Sequence, residues 1–521
     1  MLGSKQFLST EPELEDFMNY LDSLKNYEKS GVPKGAGTDS EDGFDMGRIR
    51  RLMDRLGNPH NKFKAIHIAG TKGKGSTAAF ISSILRAEGY YVGCYTRYRF
   101  WKYISPYTDH KERMSLGKFG EPVPAEMLNC IFQKIRPKLD EAIHQENGSL
   151  SHFEVLTATA FSLFAEEKID IAVIEAGLGG ARDATNIICS SGLAASVITT
   201  IGEEHLAALG GSLESIAMAK AGIIKHNQNT CDKAYMMQSP VISASDPGVK
   251  TTIKSLNVLD GRPYQFSDIS IKMERIFSWY GSTSIRLSDL KMHMLGSHQL
   301  QNASTAACMV LCLRDQGWRI SDRSLRTGIE NTCLIGRCQF CHLRNLKHWG
   351  CLEQQYYLME VSTYQGVCQG FDGYNKDVIS EAKLGFVVAM ASDKDHLAFA
   401  KEVLSGGQVD AVFLTEAEIA GGKFRTTSAS LLRDRWIQAA KELNIGTIHD
   451  TMGEYQDLLK RGLVDSRRDA EERIIIAAEN SLEVSMKHAN EILGARARNQ
   501  PILVVTGSLH ILSSVLASSH K

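Results

Sequence analysis

Residues 65–88 read AIHIAGTKGKGSTAAFISSILRAE. A short apolar run, Ala65 to Ala69, passes into a glycine-rich turn and then into a helical pattern from about Ser76 to Glu88. That is a strand–loop–helix unit. Glycines in such a turn let successive backbone N–H groups wrap around phosphate oxygens. The N-terminus of the following helix adds partial positive charge at the same point. Lys74 has the reach for the β- and γ-phosphates of a nucleotide, and Ser76 or Thr77 has a hydroxyl for Mg²⁺. The spacing departs from the strict GxxxxGK[ST], because Gly75 separates the lysine from Ser76. A merely flexible Gly-Lys turn is the alternative, and the strand before it and the helix after it argue against that.

On either side of this unit the pattern continues in the same style. Residues 169–177 (IDIAVIEAG) and 194–202 (AASVITTIG) are continuous apolar, β-branched runs, as a sheet covered on both faces requires. Helical patterns lie between and after them, so a mostly parallel α/β sheet is expected. Upstream, residues 12–30 and 46–57 read as helices, with a Gly-, Pro- and Asp-rich loop between them at 31–45. Residues 264–296 alternate with period two and read as an antiparallel hairpin with Gly281 near its turn. A second α/β pattern begins after about residue 340, with strands at 384–391, 410–415 and 502–507. The expected organisation is an N-terminal helix and loop over 1–45, an ATP-binding domain over 46–336, and a smaller Rossmann-like α/β domain over 337–521. The first large domain reads as P-loop NTPase-like.

Composition narrows the classes further. A chain of 521 residues exceeds one ordinary core, and 43% hydrophobic with 23% charged residues is globular. A net charge of −1 argues against nucleic acid as the main partner. No apolar run reaches the roughly 18 residues of a membrane helix. The start, MLGSKQFLSTEPELEDF, turns acidic at once and carries no clear presequence, which leaves a cytoplasmic or mitochondrial location open. Eleven scattered cysteines fit reduced thiols. A monomer is the default expectation.

Several further segments occur in order: HIAGTKGKGST (67–77), IAVIEAGLGGARDATN (171–186), TTIGEEH (199–205), AKAGIIK (219–225), LGSHQLQNA (295–303), GRCQF (336–340), VVAMASDKDH (387–396) and VTGSLH (505–510). Together they resemble the dihydrofolate synthases and folylpolyglutamate synthases of the Mur ligase superfamily. The N-terminal stretch LKNYEKSGVPKGAGTDSEDGFD looks like the plant dihydrofolate synthases in particular. The resemblance implies an ATP-dependent ligase. In it a pteroate or folate carboxylate takes the γ-phosphate of ATP to become an acyl phosphate, and the amine of L-glutamate then displaces phosphate. Positioning and charge neutralisation are most of such catalysis. The resemblance assigns the nucleotide to Gly70, Thr71, Lys72, Gly73, Lys74, Gly75, Ser76 and Thr77, with Asn302 and His298–Gln299 near the adenine. It makes Ser76, Glu154, His205 and a carbamylated Lys220 the Mg²⁺ ligands, and Arg337 the guanidinium that reaches the γ-phosphate. Taken alone, Glu154 reads as a charged residue at the exposed edge of a helix, and His205 as a structural histidine.

Three stretches depart from the family pattern. Where the family has Ser-Pro-His, residues 96–113 read TRYRFWKYISPYTDHKER, with Tyr107 in place of the histidine and about seven extra residues; the RYRFWKY run reads as a loop insert and not a nucleic-acid patch. Residues 226–238 are too short for the strand and helix that usually follow Lys225, so one βα unit is expected to be missing. Residues 341–383 show no clear apolar strand and only one Asp-Gly, Asp372–Gly373. With suitably chosen codons, part of this last interval translates in a shifted frame into something like the missing strand and helix, which predicts a frameshift there. Cys338, Cys341, His348 and Cys351 in and beside it mimic zinc spacing and read as coincidence. These departures keep two alternatives open: a nucleotide-binding homologue that has lost turnover, and, more remotely, some other P-loop phosphotransferase.

Overall fold

The computed structural model describes residues 14–30, 32–38, 44–96, 114–203, 206–225, 242–259, 262–273, 283–334, 339–342, 355–358, 383–392, 394–405, 409–417, 426–449, 473–496, 502–508, 511 and 514–515. The chain divides into two compact units. The first comprises Met1–Lys254, Phe266–His293 and His298–Cys333, and the second Ser255–Gln265, Met294–Ser297 and Leu334–Lys521.

The first unit is built on a six-stranded sheet. Its strands are β1 (Lys64–Ala69), β2 (Val92–Tyr95), β3 (Met114–Leu116), β4 (Glu121–Pro122), β5 (Ile171–Glu175) and β6 (Leu193–Ile198), in the order β4-β3-β2-β5-β1-β6. β2, β5, β1 and β6 run parallel, and β3 and β4 add an antiparallel edge. Every residue of β5 is buried, which explains its unbroken Ile-Ala-Val-Ile sequence at the centre of the sheet. The register sets Ile68 of β1 beside Glu175 of β5 and Val197 of β6. The carboxyl ends of these three strands therefore lie together, the end at which open α/β sheets collect their ligands.

Helices cover the sheet. α1 (Glu15–Ser23) buries Phe17, Met18 and Leu21, and its Phe17 ring lies 4.8 Å from Phe132 of α4 (Ala125–Gln145). The N-terminal helix is thus part of this unit's core. α2 (Met46–Arg55) starts on an Asp45 cap, and α3 (Lys74–Glu88) runs from the glycine turn to Gly89, whose φ of 108° closes it. α5 (His152–Glu166) is apolar nearly all round and lies buried in the core. α6 (Leu213–Ala221), α7 (Ser297–Asp315) and α8 (Asp322–Asn331) follow. The expected 264–296 hairpin corresponds to β8 (Arg262–Met273) and β9 (Thr283–Met292); Gly281 lies outside the described residues. These two form a three-stranded sheet with β7 (Val249–Leu259), a strand the sequence reading did not name. Residues 97–113 and 226–238 also lie outside the described residues.

The second unit holds a seven-stranded sheet, ordered β10-β11-β16-β12-β13-β15-β14. Its strands are β10 (Gln339–His342), β11 (Gln355–Leu358), β12 (Leu384–Val388), β13 (Ala411–Thr415), β14 (Thr447–His449), β15 (Ile474–Glu479) and β16 (Ile502–Thr506). All pairings are parallel except β10 with β11. α9 (His396–Ser405), α10 (Ala429–Glu442) and α11 (Leu482–Arg496) accompany it, and Trp436 is fully buried against Phe399 with ring centroids 6.0 Å apart. β11 lies in the 341–383 stretch, where the sequence shows no clear apolar strand. Gln-Tyr-Tyr-Leu lacks the aliphatic run sought there, yet tyrosine is a good β-former, and β10 and β16 hold it on both sides. The rest of that interval, including Asp372–Gly373, lies outside the described residues. No helix among the described residues is long and apolar enough to cross a membrane.

Candidate nucleotide-binding site and adjoining cleft

The glycine turn emerges from β1 and enters α3 with two residues at positive φ, Gly70 (152°) and Gly73 (83°). A Cβ on Gly70 would collide with the Thr199 hydroxyl, and one on Gly73 with Asn302 Oδ1, so both positions require glycine. The turn is braced from the segment after β6. Thr71 N donates to Thr200 O at 2.7 Å, Lys72 N donates to Thr200 Oγ1 at 2.9 Å, and Thr199 Oγ1 donates to Lys72 O at 2.6 Å. Thr71 Oγ1 donates to Gly202 O at 3.1 Å and accepts from Gly202 N at 3.0 Å. The segment after β6 is thus the scaffold of the glycine turn.

Lys74 opens α3 and folds its ammonium back onto the carbonyls of Gly70 (3.0 Å) and Thr71 (3.2 Å). Ser76 and Thr77 are buried in the first helical turn, and Gly75 stands between them and Lys74. α7 brings Asn302 to the same turn. Its Nδ2 donates to Gln299 Oε1 at 3.0 Å, and its Oδ1 accepts from Thr77 Oγ1 at 3.5 Å. Asn302 therefore packs against the phosphate turn itself. Lys220 is buried in the last turn of α6, whose backbone lies against Gly180 and Ala181. His205 and Arg337 lie outside the described residues, as do the side chains of Cys338, Cys341, His348 and Cys351. Among the described residues no cluster of three metal-ligating side chains is present.

Glu154 has a different post from the one expected. It is buried, and its Oε2 accepts from Ser151 N (2.8 Å) and Ser151 Oγ (2.6 Å) while Ser151 Oγ accepts from Glu154 N. This is a capping box at the start of α5. Its Oε1 accepts from Arg48 Nε at 2.8 Å. Burial works against the charge on Arg48, but the hydrogen bond and charge of Glu154 outweigh it and raise the guanidinium above its ordinary range. Both oxygens of Glu154 are thus engaged in holding a helix end and an arginine.

The carboxylate that stands behind the phosphate turn is Glu175, which the sequence reading did not single out. It closes β5, is buried, and a Cβ on Gly75 would lie 3.4 Å from its Oε2. The signal was available: a glutamate ending an otherwise wholly apolar central strand, paired with the residue two before Gly70. With the Ser76 hydroxyl it offers hard oxygen donors of the kind Mg²⁺ takes.

Two residues beyond Glu175 the chain reaches a cleft of about 710 Å³, open solvent at its mouth included. Its apolar walls are Tyr27, Val32, Phe44 and Phe153, and Arg48 and Asp183 line it as well. The loop before Met46 is folded into this wall: Gly35 N and Gly37 N donate to the carbonyls of Ala207 and Ala208 at 2.9 Å, and Phe44 N donates to Ala36 O at 2.8 Å. Glu175 and Gly177 are separated by no more than about 7 Å of chain. The cleft wall and the carboxylate behind the phosphate turn thus lie on neighbouring residues of one strand end.

The sequence profile of the Mur ligase middle domain matches residues 126–310. The chain is 33% identical over 306 residues to a dihydrofolate synthase/folylpolyglutamate synthase of Bacillus subtilis, an alignment of 56% of this chain and 65% of that protein. The match thus spans less than two-thirds of that relative's length. Among solved structures, a Mycobacterium tuberculosis folylpolyglutamate synthase complexed with ADP superposes with a TM-score of 0.65, at 21% identity over 98% of both chains. A Yersinia pestis bifunctional folylpolyglutamate synthase/dihydrofolate synthase, complexed with AMPPNP and a Mn ion, does so at 0.62 and 21%, again over 98% of each. Residues 126–310 are thus similar to the Mur ligase middle domain, and the fold is shared with these solved structures. The relative it matches over this length is a dihydrofolate synthase/folylpolyglutamate synthase, to which it is similar in sequence.

Proposed function

We propose that this protein is an ATP-dependent ligase that joins L-glutamate to the carboxylate of a pteroate or folate through an acyl phosphate. The observation that carries the reading is the arrangement around β5: Glu175 faces the phosphate turn, and the same strand runs on into an aromatic-lined cleft. A cleft that is largely apolar with a few polar groups suits a flat heteroaromatic acid. The nucleotide-binding relatives named above support the same assignment.

In this reading the backbone amides of Gly70–Thr77 and the start of α3 hold the polyphosphate, and Lys74 adds a movable positive charge. Mg²⁺ would be held by Ser76 and Glu175, and it supplies charge neutralisation on the transferring phosphoryl group. The resemblance adds His205 and a carbamylated Lys220 on the metal side, and Arg337 toward the γ-phosphate. The acid's carboxylate oxygen attacks the γ-phosphorus and ADP leaves. The glutamate amine then attacks the acyl carbon, an amide forms, and phosphate departs with the oxygen that came from the acid. Asn302, pinned to Gln299, keeps the turn against α7 while this happens.

The test is phosphate release from ATP by the purified full chain. Release is expected only when ATP, L-glutamate and either dihydropteroate or a reduced folate are all present, and it should fall to background in excess chelator. The preferred acid separates first-glutamate addition from chain extension. Tight nucleotide binding without release in any mixture would favour the homologue that has lost turnover.

A further inference from the structure

β1 carries a histidine in the middle of an apolar strand. His67 is fully buried, and its Nδ1 has no hydrogen-bond partner among the described residues. Its Nε2 lies 2.8 Å from Thr185 Oγ1. Thr185 Oγ1 in turn donates to Asp183 Oδ1 at 2.5 Å. Asp183 also accepts from Thr185 N (3.0 Å) and, on Oδ2, from Leu178 N (2.8 Å), and it lines the cleft.

The protons in this chain are fixed by counting. A hydroxyl has one proton, and here it goes to the carboxylate. Thr185 Oγ1 must therefore accept from His67, which places the imidazole proton on Nε2 and leaves Nδ1 a bare acceptor. A buried acceptor without a partner is costly. A valine or isoleucine would fill a central strand without that cost, so packing does not explain the imidazole. Burial, with the charge of Lys225 adding to it, holds His67 down at about 3, against an ordinary 6.5. The ring is neutral at physiological pH and orders the hydroxyl without placing a second positive charge under Asp183.

We infer that His67 is a positioning residue for acid-substrate recognition: through the Thr185 hydroxyl it fixes the Asp183 carboxylate in the cleft wall, where it meets N–H donors of the substrate's heteroaromatic head. Asp183 is the residue that meets the substrate; His67 and Thr185 act through it. Gly177 shows how little slack the wall has, because a Cβ there would lie 2.8 Å from the Phe153 ring and 3.2 Å from Asp183 Oδ2. The inference rests on the reading of the cleft given above.

Titration calorimetry with dihydropteroate, and separately with ADP and Mg²⁺, tests it on the full chain. His67→Leu and Thr185→Val are expected to weaken dihydropteroate binding about tenfold and nucleotide binding less than about twofold. His67→Gln, which keeps a donor near Nε2, and Thr185→Ser, which keeps the hydroxyl, should restore binding to within about threefold. The double variant should fall short of the sum of the single effects, since one chain is broken twice. In the wild type, imidazole ¹⁵N shifts should show the Nε2–H tautomer. An Nδ1–H tautomer overturns the inference. So does equal weakening of both ligands, or His67→Gln behaving like His67→Leu, because both describe a residue that only supports the fold. A wild type that binds nucleotide but no dihydropteroate removes the cleft assignment and the inference with it. A wild type that binds dihydropteroate yet releases no phosphate removes the ligase reading alone.

Discussion

Lys74→Ala is expected to lower kcat by at least about 10³-fold, the range found when a fixed charge on a transferring phosphoryl group is removed. In the structure the Lys74 ammonium is held by the carbonyls of Gly70 and Thr71, at the lip of the turn. A polyphosphate entering the turn exchanges those neutral acceptors for charged oxygens, and the charge is needed most as the bond to the γ-phosphate breaks. The turn itself is braced through Thr71, Lys72, Thr199 and Thr200, none of which depends on the lysine side chain. The variant should therefore fold and melt close to the wild type, and steady-state kinetics beside a thermal melt will show it. Unchanged kcat with a normal melt would mean that residues 70–77 do not handle the phosphates.

The second large effect separates two glutamates. Glu175→Gln keeps the shape of a buried strand end but removes the charge that faces Gly75. Turnover is expected to fall about 10²-fold or more, with the Mg²⁺ concentration for half-maximal rate moving upward, because a neutral amide oxygen is a poorer ligand for a hard dication. Glu154→Gln should leave the Mg²⁺ dependence where it is. Its cost is to the fold: Arg48 loses the partner of a mostly buried pair and α5 loses its capping carboxylate, a destabilisation of about 3–5 kcal/mol. Magnesium titrations and melts of both variants decide the matter. A shifted magnesium dependence in Glu154→Gln and none in Glu175→Gln would reverse the assignment.

The phosphate turn was legible because local chemistry dictates it: two glycines at positive φ, a lysine opening a helix, and an apolar strand in front. The central strands were legible because burial on both faces forces continuous apolar sequence. Glu154 and Glu175 show where such reading stops. Both are acidic residues flanked by apolar ones, and only the register of β1 against β5 tells which of them reaches Gly75. The capping box from Ser151 to Glu154 was visible in the sequence as Ser-x-x-Glu and points to a helix start in place of a metal ligand. β11 does not read as an apolar strand because the Tyr356–Tyr357 pair stands in place of an aliphatic run, and β7 was missed because its Lys-Thr-Thr-Ile-Lys alternation is weak in apolar residues. The cleft could not have been read at all, since Phe44, Phe153 and Asp183 come together only through the fold.

The central claim is that the acid is activated by phosphorylation at the phosphate turn before the amine attacks. Dihydropteroate labelled with ¹⁸O in its carboxylate, turned over once with ATP and L-glutamate, tests it in a single mass spectrum of the released phosphate. The account predicts one ¹⁸O atom per phosphate, carried over from the acid. Phosphate free of label, formed alongside amide product, would contradict it.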